Sequence, residues 1–481
     1  MKTIKNYLYN ASYQLLLLIL PLITAPYVSR TIGPKGIGQY SFTYSIITWF
    51  VMITNIGIAY YGDRQIAYVR NDRYKLSKTF WELQIIKVMM TIISVVLFIV
   101  FIFMYRRYTF LLWLQAINIL ASMVDISWLY MGLEDFKITV TRNTLVKISS
   151  VLFIFLFIHN SNDTWLYTLV LALSVLLGNL TLWTRLRIIL VPIKLRMLRP
   201  FRHLSESLLL FFPTIAPMIY LTLNKTMLGV LDGSTATGFY TNADTLIKLI
   251  LAIVTATGTV VLPKAANEYA KGRRENIKKM LYSSFDFVSF IAFPMAFGIA
   301  AIALKLSTFF YGKNFAPVGP VMMIESVVIV VIAWSNAIGI QYLLPTNQTF
   351  QYTKSLVISA IFSAIISFPM IYFLGLYGAM LTTVLSEILV TVNQLHIVRH
   401  EINLAQLFID VPKFLIASIV MFVIVFLINS YWKFNFITLA IEILIGIVIY
   451  IIMISILQPT IINKIKVILR LAKSKFKKTL L

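Results

Sequence analysis

Fourteen apolar stretches occupy almost the whole of this 481-residue chain. Each runs roughly 17–25 residues, the length an α-helix needs to cross about 30 Å of hydrocarbon at about 1.5 Å per residue. They cover 10–28, 39–61, 80–104, 108–132, 144–160, 164–184, 207–230, 239–262, 282–304, 317–344, 355–374, 377–397, 413–431 and 436–457. With 59% hydrophobic and 12% charged residues, a soluble globular fold is excluded. The pattern points to an all-α integral membrane protein of the many-span transporter kind. The start of the chain, Met1 to Ile19, has a charged end and an apolar run, but no small-residue cleavage site follows, and Pro21 and Pro26 lie inside the span. It reads as a retained first helix.

A net charge of +24 raises the question of nucleic acid, and the positions of the charges answer it. With the N-terminus taken as cytoplasmic, 32 of the 42 Lys and Arg residues fall in loops on that side and 7 on the other. The remaining three, Lys87, Lys225 and Lys248, lie inside spans. This asymmetry is the positive-inside signature, with attraction to anionic head groups as a second use. It predicts a multi-pass protein of the cytoplasmic membrane with both termini cytoplasmic, the lipid bilayer as a partner and no nucleic acid. The absence of cysteine rules out disulfides, thiol chemistry and cysteine metal sites.

The chain also repeats. Thr24-Ala25-Pro26 in span 1 answers to Ile215-Ala216-Pro217 in span 7, Gly38-Gln39-Tyr40 to Gly238-Phe239-Tyr240, and Gly57 to Gly258, at offsets of 191, 200 and 201. A duplicated six-span unit predicts two six-helix lobes related by a pseudo-two-fold along the membrane normal, over 1–203 and 204–400. Residues 401–481 then hold two extra helices and a basic tail. Pro21 and Pro26 in span 1 match Pro213 and Pro217 in span 7. A helical proline removes a hydrogen bond and crowds the preceding turn, so these four are candidate gating prolines, although membrane helices also tolerate proline for other reasons.

Ionisable groups inside spans are costly and usually face a bundle interior or a water-filled cavity. Asp244 and Lys248 are one helical turn apart and can neutralise each other. Asp125 and Lys225 sit deep with no obvious local partner, and Arg64 closes span 2. These five, Arg64, Asp125, Lys225, Asp244 and Lys248, are the candidate cavity residues. For Glu82, Glu387 and Glu442 an interfacial or packing role is expected. No catalytic or metal-binding set emerges: His159, His203, His396 and His400 are scattered, there is no glycine-rich phosphate loop, and the external loops are too short to carry an enzyme's site. No cofactor is expected. Intramembrane carboxylates leave room for coupling to a proton or sodium gradient.

The segment Arg30-Thr31-Ile32-Gly33-Pro34-Lys35-Gly36-Ile37-Gly38-Gln39-Tyr40 closely resembles the opening signature of bacterial polysaccharide-repeat-unit flippases. These belong to the oligosaccharide-lipid branch of the multidrug and polysaccharide exporter superfamily. The likeness continues at Gly62-Asp63-Arg64-Gln65-Ile66-Ala67 and is strongest at Asp125-Ile126-Ser127-Trp128-Leu129-Tyr130-Met131-Gly132-Leu133-Glu134-Asp135-Phe136, with Arg142 after it. Weaker echoes stand at Met227-Leu228-Gly229 and Tyr311-Gly312-Lys313-Asn314-Phe315. The chain departs from many relatives at Asn224-Lys225, where they carry an acidic residue before the basic one. The resemblance implies a fourteen-helix fold around a cavity. Its implied substrate is an undecaprenyl-pyrophosphate-linked oligosaccharide, flipped to the outer leaflet by alternating access for capsule, exopolysaccharide or O-antigen. It also implies a polysaccharide polymerase and chain-length machinery as partners. Lys225, Lys248 or Arg64 could then compensate the pyrophosphate charge. The glycines of the signatures suit a tight external turn at Gly33-Pro34 and Gly36/Gly38, and the end of span 4 at Gly132. Competing readings are a drug or cation antiporter of the same superfamily, a peptidoglycan-precursor flippase, a polymerase, and a non-transporting scaffold of a polysaccharide assembly complex.

Overall fold

The computed structural model describes the backbone of residues 2–462, and side chains from residue 16 onward apart from 136, 210, 212–214, 216, 217, 220 and 256–260. Every regular element among the described residues is a helix. Ten helical segments there are long and apolar enough to cross a membrane. Two of the ten hold two passes each: Lys2–Asn55 is interrupted at Gly33, and Thr349–Val398 at Gly375. Helices Leu204–Leu231 and Ser234–Ala270, 28 and 37 residues long, complete fourteen. Lipid offers no partner to a peptide group, so each pass satisfies its own backbone as a helix. The faces left open are apolar, as Ile92, Val96, Val100 and Phe103 along Arg73–Met104 illustrate.

The repeat is visible in the backbone. Gly33 (φ 71°) separates the first pass from the second, and Gly233 (φ 94°) separates the seventh from the eighth. Both take a left-handed φ that a side chain disfavours. One turn further on, the equivalent glycines meet each other. A Cβ on Gly38 would overlap the Ser234 carbonyl, and one on Gly238 would overlap the Pro34 carbonyl. The contact is therefore reciprocal at a constant offset of 200. Of the residues expected to form the turn, only Gly33 breaks the helix. Gly36 and Gly38 are helical and serve close packing, Gly36 against the Thr164 hydroxyl. Duplication also shows in the aromatic core. Phe80 stacks on Trp128 with centroids 5.5 Å apart, and Phe285 stacks on Trp334 at the same 5.5 Å.

Pro21 and Pro26 lie in continuous helix, whose one departure from helical φ/ψ is at Gly33. Pro213 and Pro217 fall within Leu204–Leu231, at positions whose side chains lie outside the described residues.

By contact the chain divides into two compact units, Met1–Thr241 with Ser367–Leu376, and Asn242–Ile366 with Tyr377–Leu481. In the first, Ser367 donates to the Asn224 amide oxygen at 2.8 Å. In the second, the two C-terminal passes, Val411–Tyr431 and Phe436–Leu457, are fastened to the ninth, Arg274–Tyr311. The Lys305 ammonium donates to the carbonyls of Asn429, Ser430 and Trp432, which closes the C-terminal end of the thirteenth helix with positive charge. Asn429 donates to the fully buried Glu442 at 2.8 Å, and the Tyr450 hydroxyl to the Phe290 carbonyl at 2.8 Å. Glu442 thus joins the two extra helices to each other.

A methyl group on Gly38 collides with backbone, which cannot step aside as a side chain can. Gly38→Ala is expected to cost about 3 kcal/mol or more and to reduce the yield of monodisperse protein in detergent. Gly298→Ala, whose new methyl meets only Met421 Cε at 3.7 Å, should leave the melting temperature within about 2 °C of the parent. Equal stability of both variants would contradict the reciprocal contact.

Candidate functional site

The fourth pass is broken where Asp125 stands. Helix Thr109–Met123 ends, and a short helix, Ser127–Gly132, restarts after the three non-helical residues Val124, Asp125 and Ile126. Asp125 makes the restart possible because its carboxylate accepts from the Ser127 amide at 2.9 Å. The break frees carbonyls that lipid cannot satisfy, and neighbouring helices supply a donor to each. Asn179 donates to Ala121 O at 2.7 Å, Gln84 to Met123 O at 2.9 Å, the Trp183 indole to Val124 O at 2.7 Å, and Lys87 to Asp125 O at 2.6 Å. An unpaired carbonyl at this depth would cost several kcal/mol, so these four side chains fix the broken conformation. Arg142 approaches the Asp125 carboxylate at 3.9 Å. Asp125 therefore has partners, contrary to what its sequence neighbourhood suggested.

The same break opens a cavity of about 370 Å³ inside the first unit. One wall is a polar face of the fourth pass: Gln115, Asn118, Ser122 and Asp125 follow one another at intervals of three and four residues. Facing walls bring Tyr40, Tyr44 and Asn55 from the second pass and Lys147 from helix Phe136–Phe157. Asn55 Oδ1 accepts from the Ser122 hydroxyl at 3.0 Å, and Gln115 Oε1 accepts from the Asn118 amide at 2.9 Å. The Gln115 Nε2 donor, in a fully buried side chain, has no acceptor among the described residues. Tyr40 and Tyr44 stack at 5.8 Å, with Tyr167 edge-on to Tyr40 at 4.9 Å. The result is a chamber of mixed lining, in which amide and hydroxyl donors, two aromatic rings, one ammonium and one carboxylate stand among apolar side chains such as Ile47, Val51, Leu171 and Val175.

The other candidates lie elsewhere. Arg64 pairs with Glu206 at 2.9 Å with both side chains about half exposed (43% and 55%), and its guanidinium lies 5.6 Å over the Tyr61 ring. Lys225 lies 5.9 Å over the Tyr240 ring. Neither lines the chamber that Asp125 lines. In the second unit Asp244 is buried and holds Lys248 at 2.7 Å, with Glu325 and Glu387 acting electrostatically on the same ammonium. Sequence reasoning missed Lys147, which it assigned to a loop, and the amides of passes two, four and six. The spacing of Gln115, Asn118, Ser122 and Asp125 along one helix face was the signal available.

The signature motifs turn out to be mutual packing. Gly62 lies against the Trp128 ring and Gly132 against the Asp63 carbonyl, so the second and third motifs are two sides of one helix contact. Beside them Glu82, fully buried, accepts from the Arg199 amide at 2.8 Å, the Arg202 guanidinium at 2.6 Å and His203 Nε2 at 2.9 Å. The Tyr61 hydroxyl meets His203 Nδ1 at 2.7 Å. This knot ties the connector that precedes the seventh pass to helices Ile58–Val69 and Arg73–Met104. Burial pushes the His203 imidazole below its ordinary value, partly offset by the Glu82 carboxylate. A base held low in the fold stabilises it where the imidazole is neutral, above about pH 6.5, and that stability is lost as pH falls through the lowered value. The melting temperature should therefore drop on going from pH 7.5 to pH 5, and His203→Gln should flatten part of that drop. Glu82→Ala leaves Arg202 and His203 without their acceptor and should cost about 3 kcal/mol at neutral pH, read from thermal unfolding in detergent.

Residues 3–267 match the family described as polysaccharide biosynthesis protein. A "Putative O-antigen transporter" of Escherichia coli (strain K12) is 24% identical over 409 residues, covering 82% of this chain and 96% of that one. A protein of the same description from Shigella dysenteriae is 20% identical over 388 residues, covering 79% and 96%. Among solved structures, lipid II flippase MurJ in an inward closed conformation superposes with a TM-score of 0.73 at 16% identity, covering 94% of this chain and 98% of that chain. An inward-facing multidrug resistance MATE family transporter of the MOP superfamily gives 0.60 at 13% identity, covering 79% and 93%. At these identities the two structures share the fold with this chain. The match over more than half its length makes this multi-pass membrane protein a member of the polysaccharide biosynthesis protein family.

Proposed function

We propose that the protein is a flippase for undecaprenyl-pyrophosphate-linked oligosaccharide repeat units, moving them from the cytoplasmic to the outer leaflet of the bacterial cytoplasmic membrane for surface polysaccharide. The observation that carries this reading is the polar chamber within apolar helices, with the buried Gln115 donor awaiting an acceptor. Sugar hydroxyls supply acceptors and donors in the pattern that Gln115, Asn118 and Asn55 require, and a pyranose face suits the Tyr40 and Tyr44 rings. The polyprenyl chain can remain in lipid, so only the head group has to enter. Membership of a polysaccharide biosynthesis family and likeness to an O-antigen transporter and a lipid II flippase support the same substrate class.

Lys147 in the chamber, with Arg64 and Lys225 outside it, compensates the pyrophosphate along the route by charge-assisted hydrogen bonds. Transport proceeds by alternating access, with Pro21, Pro26, Pro213 and Pro217 as points of bending. Asp125, Asp244 and Lys248 are the groups through which a proton or sodium gradient can be coupled. The positive-inside asymmetry puts both termini in the cytoplasm.

The test is surface polysaccharide export from cells carrying single variants at equal membrane level. Loss of one hydrogen bond to the head group, about 1–1.5 kcal/mol, corresponds to about a tenfold loss of export at limiting substrate. Gln115→Leu and Lys147→Met are expected to show it, and Arg64→Ala and Lys225→Ala to reduce export as well. Normal export by Gln115→Leu and Lys147→Met together would remove the chamber from the transport route. Unchanged polysaccharide in a deletion strain, with altered sensitivity to toxic organic cations, would assign the protein to drug export instead.

A further inference from the structure

A second polar cavity, of about 330 Å³, lies in the second unit. It is walled by the residues that join consecutive passes. Tyr269, Arg274 and Lys278 come from the junction of the eighth and ninth helices, Thr346 and Gln348 follow the tenth, and His400 and Glu401 follow the twelfth. Because each of these connections follows an even-numbered pass, all three lie on one side of the membrane. Their place at helix ends puts the cavity at the depth of the lipid head groups.

Its charge is net positive, with Arg274 and Lys278 set against the single carboxylate of Glu401. The Glu401 carboxylate is already engaged, since Tyr342 donates to Oε2 at 2.7 Å and Gln348 to Oε1 at 3.1 Å. Among the described residues Lys278 pairs with the outward Glu275, 76% exposed, at 3.0 Å, a solvent pair of small worth. Among the described residues no carboxylate pairs with Arg274. Arg399 Nε donates to His400 Nε2 at 3.1 Å, which leaves Nδ1 as the nitrogen that carries the proton and donates. The tenth pass ends in a π-helical turn, Gly339–Leu343, which brings Tyr342 round to Glu401 and holds the acid at the wall. A guanidinium, an ammonium and an imidazole donor around an open cleft at the head-group level form an acceptor-seeking site.

We infer that this cavity binds a phosphate group presented at the membrane surface, with Arg274 and Lys278 as the charged donors and His400 as the neutral one. Basic pockets between membrane helices at this depth commonly take anionic head groups, and a guanidinium fork suits phosphate oxygens. The phosphate can come from an anionic phospholipid or from a soluble pyrophosphate-bearing molecule, and the site does not depend on the transport reading.

Purified full-length protein in neutral detergent would be titrated with phosphatidylglycerol, with phosphatidylcholine and with inorganic pyrophosphate, and thermal unfolding recorded. Saturable stabilisation of about 5 °C by phosphatidylglycerol but not phosphatidylcholine identifies the lipid head group as the source. The same shift from pyrophosphate alone identifies a soluble source. In either case Lys278→Gln and Arg274→Gln should each remove at least half of the shift. The pair Lys194→Gln and Arg196→Gln, basic residues of the first unit outside this cavity, should leave it intact. Should Arg274→Gln not purify, Arg274→Lys retains the charge but loses the guanidinium fork and should raise the half-saturating concentration several-fold. No shift with either phosphate compound, or equal loss in the Lys194/Arg196 control, overturns the assignment.

Discussion

Hydrocarbon cannot hydrogen-bond, and the break at Asp125 is where that constraint is met most expensively. A pass that stayed helical would need nothing from its neighbours. This one stops at Met123, restarts at Ser127, and needs Asn179, Gln84, Trp183 and Lys87 to cover the carbonyls it exposes. Four side chains from the third and sixth helices and their continuation are thereby committed to holding one irregular turn. The irregular turn places Asp125 at the end of the helical face that carries Gln115, Asn118 and Ser122, and this face lines the chamber opposite the second and fifth helices. Irregular backbone at membrane depth is tolerated where it lines a cavity, and here structure and use coincide.

The second organising element is glycine. Gly33 and Gly233 turn the chain between consecutive passes, and Gly38 and Gly238 let the two following helices touch backbone to backbone. Small residues are the usual means of close helix approach in lipid, where apolar area alone gives no preference for protein over solvent. The duplicated sequence thus meets itself at the point where its copies are most alike. The matched Phe80–Trp128 and Phe285–Trp334 stacks extend the likeness to the third and fourth passes of each copy.

Hydrophobic run length was enough to read the fourteen passes, because spanning imposes one length on every element. The duplication was legible in Gly38 and Gly238, but not their mutual contact, which depends on a neighbour 200 residues away. The turn role expected of Gly38 failed for that reason. Asp125 is legible as a deep charge, while its partners Arg142 and Lys87 are not, since both come from other helices than its own. Glu82 in fact closes on Arg199, Arg202 and His203, more than a hundred positions along the chain. Local spacing finds Asp244 with Lys248 and the polar face from Gln115 to Asp125; it cannot find a site assembled across helices.

The most direct measurement is the leaflet distribution of the lipid-linked repeat unit in cells lacking the protein, read by accessibility of the sugar to an impermeant enzyme or label. Pyrophosphate-linked oligosaccharide should accumulate where the external reagent cannot reach it, and the intact chain should restore access while Gln115→Leu does not. Full access to the lipid-linked oligosaccharide from outside in the deletion strain would contradict the assignment as a flippase.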